Sequence, residues 1–276
     1  MSRATHGGGV RMGGDHEPRV AIVTGAARGI GAAVVDGLAG AGWTVVAVDL
    51  CADVDGVDYP MSGPADLDAV AARWPGQVKA VVADVRDAGA LASVVSQTER
   101  DHGGLDAAVA AAAVIGGGKA LWDEPPQTLE TLWEINVRGT WHLAAAAVPA
   151  MLRRPEPRSG RFVAVASAAG HRGLWHLAAY ITSKHAVVGL VLGLATDLRG
   201  TGVTATAVSP GSTRTPMLSA TTTLYGLEDP EELSHHQLVE RLLEPAEVAA
   251  AICWLCSEQA SAMTGSVLHA DGGLTT

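Results

Sequence analysis

The chain has 276 residues, 48% of them hydrophobic but only 4% aromatic, with 19 basic against 29 acidic side chains, a formal charge of −10 and three cysteines. That length admits one large α/β domain or two small ones, and a core of Ala, Val, Leu and Ile suits buried parallel strands under closely packed helices. An acidic balance with no basic block argues against a nucleic-acid partner, and three cysteines are too few for a disulfide framework and fit a reducing compartment.

Residues 1–18, MSRATHGGGVRMGGDHEP, are Gly-rich and polar with no apolar h-region. They are expected to form a disordered tail rather than a signal peptide, with Met12 an alternative start. No run reaches the roughly 18 apolar residues of a membrane span, so a soluble, cytoplasmic protein without a membrane partner is expected. Arg19–Gly25 (RVAIVTG) reads as a short β-branched strand, Ile30 to Ala41 as a helix, and Trp43–Asp49 (WTVVAVD) as a second strand ending on an acid. Strand, glycine turn, helix and acid-terminated strand make a nucleotide-binding βαβ unit.

The glycines follow T-G-x-x-x-G-x-G at Thr24, Gly25, Gly29 and Gly31. Gly25 permits a tight exit from the strand, Gly29 lets backbone approach a pyrophosphate, and Gly31 lets helix and sheet pack closely, with phosphates at the positive helix end. Arg28 and Ile30 complete this cofactor-binding turn. Asp49 is placed to accept from adenosine ribose hydroxyls and to repel a 2′-phosphate, which favours NAD over NADP. Arg28 argues the other way, since it can pair with that phosphate; the acid at the strand end outweighs it.

Cys51–Asp66 is acidic and turn-rich and is expected to be a surface excursion. A helix from Leu67 to Trp74 leads to strand Val78–Asp84, where Asp84 and Val85 lie beside the adenine or, alternatively, Asp84 caps the helix Ala88–His102. Leu105–Val114 is a fourth buried strand, with Ala111 and Ala112 towards its carboxyl end, and Gly116–Lys119 a loop on the cofactor side. The helix Thr128–Leu152 contains Asn136, either a satisfied core amide or part of a site. Arg161–Ser167 is the fifth strand, with Ser167 at its carboxyl end. Helix Ala178–Leu198 carries Tyr180 and Lys184, and strand Val203–Ser209 runs into a hydroxyl-rich turn, Pro210–Pro216. Met217 to Leu243 has no clear strand and suits a mobile lid, about 213–243, over a substrate pocket. Helix Ala246–Ser257 and strand Ser266–Gly273 close the chain. Cys253 and Cys256 form a C-x-x-C inside an Ala-rich amphipathic run with no second ligand pair, so they are read as buried helix residues and no metal is expected. The alternation is unbroken, without linker or repeat: an α/β single-domain Rossmann fold over 19–276, a doubly wound parallel sheet of about seven strands flanked by helices.

Tyr180 and Lys184 are four apart and share a helix face. An ammonium beside a phenol, whose free pKa is near ~10, stabilises the phenolate and brings it towards acid–base work. Alone, Y-x-x-x-K is common and reads first as two surface residues of a helix; the rest of the chain gives it meaning.

Taken in order, Thr24–Gly31, Asn136, Ser167, Tyr180–Lys184 and Pro210–Gly211 resemble the classical short-chain dehydrogenase/reductases, from about Arg19 to the end. The resemblance implies Tyr180 as general acid/base and Ser167 bonding the substrate oxygen. Lys184 is implied to bind the nicotinamide ribose and lower the tyrosine pKa, and Asn136 to hold a water that relays protons to it. Thr213 and Thr215, after Pro210 and Gly211, are implied at the nicotinamide carboxamide. One motif departs: the family has Asn-Asn-Ala-Gly where this chain has Ala110–Ala113, so that strand must be tied to its neighbours differently. The excursion containing Val57–Pro60, and VASAAGHRGLWHLAAY, resemble the subfamily associated with mycofactocin, a peptide-derived redox carrier, and similar to carveol dehydrogenases. That implies NAD recycled in place; an ordinary insertion in a freely exchanging enzyme is the alternative.

The substrate expected is a small, largely apolar secondary alcohol or its ketone, in a pocket walled by His171, Trp175, Met217 and Leu224; Trp175 and His176 are equally read as packing or subunit contacts. An NADPH-dependent 3-oxoacyl carrier reductase and a non-catalytic nucleotide sensor are the competing readings. Asp49 counts against the first, and the presence of all four catalytic side chains against the second. The long helices carry surplus apolar surface, and the resemblance implies a homotetramer.

Overall fold

The computed structural model describes residues 18–276, so the expected tail lies outside the described residues except for Pro18. β1 (Val20–Thr24) is buried along its whole length. Its pleat sends Val20 and Ile22 into one apolar cluster and Ala21 and Val23 into another, the period-two outcome of a strand covered on both faces. Around it lie β2 (Thr44–Asp49), β3 (Val78–Val82), β4 (Ala107–Ala110), β5 (Arg161–Val165), β6 (Thr204–Pro210) and β7 (Ser266–Ala270), all parallel, in the order β3-β2-β1-β4-β5-β6-β7.

Helices α1 (Gly29–Gly40), α2 (Pro64–Ala72) and α8 (Pro245–Cys256) cover one face through Val34, Leu38, Leu67, Val70 and Ile252. Helices α3 (Ala88–His102), α4 (Pro126–Leu132), α5 (Gly139–Leu152) and α6 (Ala178–Asp197) cover the other through Leu91, Leu132, Leu143 and Val187. The chain moves outward from β1 to β3, then crosses back to β4 on the far side of β1. The loops at the carboxyl ends of β1 and β4 diverge there and open a crevice.

Three local differences from the expected layout each have a cause. β4 stops at Ala110, because Ala111–Val114 leave the sheet and the Val114 N–H and C=O are taken instead by the Asn136 side chain at 2.9 and 3.0 Å. The single helix expected over Thr128–Leu152 is interrupted by a π-helical turn, Trp133–Arg138, which carries Asn136; such widened turns cluster at functional sites. The excursion after β2 is exposed along most of its length, as expected, but it is anchored at several points. Val54 and Ser62 are buried, and the Tyr59 hydroxyl accepts from Ile115 N at 3.1 Å across the crevice.

α6 is also long and apolar enough, by length and composition, to cross a membrane. In the fold it is a core helix, with Tyr180, Ser183 and Lys184 buried on its inner face. Cys253 packs on Gly37 of α1 and Cys256 is fully buried; burial pushes the Cys253 thiol up to about 11 and the Cys256 thiol up as well. Phe162, the chain's one phenylalanine, is fully buried in the interior strand β5. With so few aromatics to refill the space, Phe162→Ala is expected to lower unfolding free energy by about 3–5 kcal/mol, read from urea midpoints at fixed NAD concentration.

Candidate active site

One cleft of ≈ 650 Å³ runs along the carboxyl ends of the strands. It is lined by the whole expected cofactor set: Gly25, Arg28, Gly29, Ile30, Gly31, Asp49, Asp84, Val85, Ala111, Ala112, Tyr180, Lys184, Pro210, Gly211, Thr213 and Thr215. At its adenosine end the geometry suits a dinucleotide. Gly25 has φ +68° and a Cβ there would lie 2.7 Å from the Ala112 backbone, while a Cβ on Gly31 would collide with the Gly25 carbonyl. Only glycine holds this turn, and the first turn of α1 behind it carries no side-chain cap. Its N–H groups are therefore left for an anion such as a pyrophosphate.

Asp49 accepts from Ala27 N at 3.0 Å, Cys51 N at 3.1 Å and Ser62 Oγ at 2.8 Å. Three of about four lone-pair sites are filled, so the carboxylate is fixed in place with one direction open to the cleft. Arg28 reaches the excursion, donating to the Pro60 carbonyl at 2.8 Å. Asp84 pairs with Arg86 at 2.6 Å; burial alone would raise its pKa, but the Arg86 hydrogen bonds and charge win and hold it below the usual carboxylate range. The alternative of a helix cap falls to Asp87, whose carboxylate accepts from Gly89 N and Ala90 N. The departure at Ala110–Ala113 is also answered here. The Thr24 hydroxyl donates to Val109 O and accepts from Ala112 N, both at 3.4 Å, bridging β1 to β4 where amide side chains are missing.

At the other end, Ser167 follows β5, and Tyr180 and Lys184 project from the first turns of α6. Lys184 is 2% exposed and its Nζ donates to the Val165 carbonyl at 3.0 Å, 5.7 Å from the centre of the Tyr180 ring. Burial pushes Tyr180 up to about 12, with the Ser167 hydroxyl pulling the other way, and burial pushes Lys184 down to about 8. The expected lowering of the phenol by the ammonium is not found: desolvation disfavours both charged forms at once. Both amide hydrogens of Asn136 are spent, on Val114 O and on Ser183 Oγ at 3.1 Å, leaving one Oδ1 lone pair for any water. Ser183, fully buried, donates to the Tyr180 carbonyl at 2.8 Å and so links the π turn to the tyrosine.

Of the expected substrate wall, Trp175 and Met217 line the cleft, with Met217 Sδ 4.0 Å from the phenol oxygen. His171 and Leu224 do not. On α7 (Pro216–Leu224), the helical repeat turns Met217, Thr221 and then Tyr225 towards the cleft, while Leu224 packs over Gly118. His171 is turned beneath the strand ends by the 3-10 turn Ala168–Gly170 and bonds Ser209. Thr215 caps α7, accepting from Leu218 N, and the lid's two ends are joined by a bridge between Thr213 and Leu243. Inside it, Leu218, Leu233 and Leu242 form a small core of their own. Ser62, Tyr59 and Ser183 escaped the sequence reading. Ser183 alone carried a local signal, a small hydroxyl on the inner face of an apolar helix.

The two pKa displacements set opposite slopes. Between about 8 and 10.5 the unfolded chain holds the Lys184 proton and the folded one has released it, so NAD-free protein gains stability as pH rises through that window. Above 10 the unfolded phenol ionises while buried Tyr180 keeps its proton up to about 12, and stability falls. Urea midpoints of the parent, Lys184→Met and Tyr180→Phe across this range are expected to lose the rise in the first variant and part of the fall in the second.

A family model described as enoyl-(acyl carrier protein) reductase matches residues 25–275. The chain is 32% identical over 270 residues to an NAD-dependent oxidoreductase of Mycobacterium tuberculosis, covering 95% of this chain and 97% of the relative. It is 36% identical over 262 residues to the 2,5-dichloro-2,5-cyclohexadiene-1,4-diol dehydrogenase of Sphingobium indicum, covering 95% and 98%. Among solved structures, carveol dehydrogenase from Mycobacterium avium in complex with NAD superposes with a TM-score of 0.87 at 30% identity, over 93% of this chain and 97% of that one. With the glycine turn, the acid-terminated second strand and the buried tyrosine–lysine pair in one cleft, this chain belongs to the short-chain dehydrogenase/reductase family, a dehydrogenase acting on CH–OH groups with NAD.

Proposed function

We propose that the chain interconverts an apolar ring-borne secondary alcohol and its ketone, using NAD. The observation that carries this is the meeting, at one end of the dinucleotide cleft, of the Ser167–Tyr180–Lys184 group with an apolar wall of Leu174, Trp175, Leu177, Met217 and Tyr225. Such a wall offers little to hold a phosphopantetheine arm or a sugar, and much to hold a hydrocarbon ring. Carveol and the cyclohexadiene diol, named for two similar proteins, are both ring alcohols.

NAD, when bound, supplies the hydride acceptor, and the protein supplies position and proton management. Gly25, Gly29 and Gly31 admit the pyrophosphate, Asp49 holds the adenosine ribose, and Ala111, Ala112 and the Pro210–Thr215 turn border the rest. Ser167 and Tyr180 hold the alcohol oxygen between them. Tyr180, ionised, takes the hydroxyl proton. Lys184 holds the nicotinamide ribose and, as an ammonium, favours the phenolate; its proton traffic continues by way of water near Asn136. Asp49 disfavours a 2′-phosphate, which separates this reading from an NADPH-dependent 3-oxoacyl carrier reductase.

The excursion supports a finer reading, in which NAD is retained and re-oxidised in place by mycofactocin. Tyr59, Ser62 and the Pro60–Arg28 contact bind Cys51–Asp66 down beside the adenosine end instead of leaving it free. Trp141 on α5, 63% exposed, and Leu192 on α6, 47% exposed, support pairing of these helices across a two-fold axis in a tetramer.

Protein purified without added cofactor and then denatured is expected to release NAD(H) stoichiometrically, identified by mass; an empty site would remove the retained-cofactor reading. Against a panel of ring alcohols, the parent is expected to reduce its NAD. Tyr180→Phe is expected to lose that reduction while still holding NAD, and a variant that keeps turning over would sink the assignment.

A further inference from the structure

The hydroxyl that faces the phenol is held from behind by a pair of side chains with no part in the chemistry above. Ser209, at the end of β6, is fully buried; its Oγ lies 3.1 Å from the Ser167 carbonyl and 2.7 Å from His171 Nε2. A carbonyl can only accept, so the single Ser209 O–H is directed at Ser167. The Ser209 oxygen is then the acceptor in its other bond, and His171 must carry a proton on Nε2. That donation is the same for neutral and charged imidazole. Burial, and next the nearby His269 at 4.7 Å between ring centres, hold His171 below its ordinary pKa, so the neutral Nε2–H form is resident.

Ser167 needs such support. The last ladder bond on this side is Ala166 N to Val208 O at 2.8 Å, so Ser167 itself is outside the ladder; it stands in extended conformation, φ −177°, capping a single 3-10 turn. Its Oγ accepts from Ala169 N, and its carbonyl receives Gly170 N at 2.8 Å besides Ser209. The Gly170 bond is local and turns with the peptide. The Ser209 bond is the one that ties this peptide plane to the sheet. Letting the plane rotate moves the 3-10 turn whose Ala169 N–H holds the Ser167 hydroxyl, and so releases that hydroxyl from its place beside Tyr180.

We propose that Ser209 and His171 are positioning residues for the alcohol site, clamping the Ser167 peptide so that its hydroxyl meets the oxygen held by Tyr180. This rests on the function proposed above. His171, expected from sequence as a pocket wall, thereby acts from the other side of the serine it was thought to flank.

The test uses the full chain loaded with NAD, with carveol and cyclohexanol as probes, reading nicotinamide fluorescence. Ser209→Ala and His171→Leu are expected to slow NAD reduction at saturating alcohol by about 10–100-fold, the scale of a small misplacement of a reacting group. Half-saturating alcohol, NAD content and melting temperature are expected to stay close to the parent, the mark of an interaction that matters in the transition state. His171→Gln, whose amide N–H reaches the same oxygen, is expected to recover most of the rate. A parent-like rate in Ser209→Ala, or equal losses in His171→Gln and His171→Leu, overturns the proposal while leaving the functional reading intact. A parent that reduces its NAD with neither probe nor any ring alcohol of the panel overturns both.

Discussion

A lysine with 2% of its surface exposed, holding a single hydrogen bond to the Val165 carbonyl, is the constraint around which this molecule is arranged. A buried ammonium is costly, and the structure places it where the strand ends of a parallel sheet present free carbonyls. The position of Lys184 fixes that of Tyr180 one turn earlier, because the two share the inner face of α6. Lys184 Nζ takes the carbonyl of Val165, the last residue of β5, and so brings α6 against the strand end that precedes Ser167.

The second organising feature is how the chain closes the gap left by its unusual β4. Three separate groups tie the segment after Ala110: Thr24 at Ala112, Asn136 at Val114 and Tyr59 at Ile115. Each comes from a different element, β1, the π turn and the excursion. Alanines in the sheet therefore do not loosen this edge of the cleft. They make it narrow, since small side chains let the Gly25 turn approach to within a backbone contact.

The sequence made the sheet legible because its strands are buried on both faces and read as unbroken apolar runs between glycine and acid punctuation. The cleft was legible for a related reason. Gly25, Asp49, Ser167 and Pro210 sit at strand ends, and parallel strands bring their carboxyl ends together whatever the loops do. What escaped was direction. His171 and Leu224 are next to the site in sequence but face away from it, because a 3-10 turn and one helical step, respectively, rotate them out. Tyr59 and Ser62 escaped for the opposite reason. Nothing in an acidic, turn-rich stretch records that it will fold back on Asp49 and Ile115, since those contacts exist only once the sheet is built. The π turn at Asn136 has no compositional mark either, and its partner Val114 lies far away in the chain.

The displaced ionisations of Tyr180 and Lys184 also say how the site is energised. Burial holds each group on the side of its free value that disfavours charge, Tyr180 up to about 12 and Lys184 down to about 8. A phenol that keeps its proton is the cheapest occupant of a buried site, but it is the wrong form for taking a proton from an alcohol. Further positive charge and ribose hydroxyls entering beside Tyr180 favour its phenolate and offset part of that penalty. The same burial that makes the pair inert alone makes it respond steeply to whatever fills the cleft, because a low-dielectric surrounding strengthens each new interaction as much as it penalises each missing one. The excursion borders the same cleft, bound to Asp49 through Ser62 and to Ile115 through Tyr59.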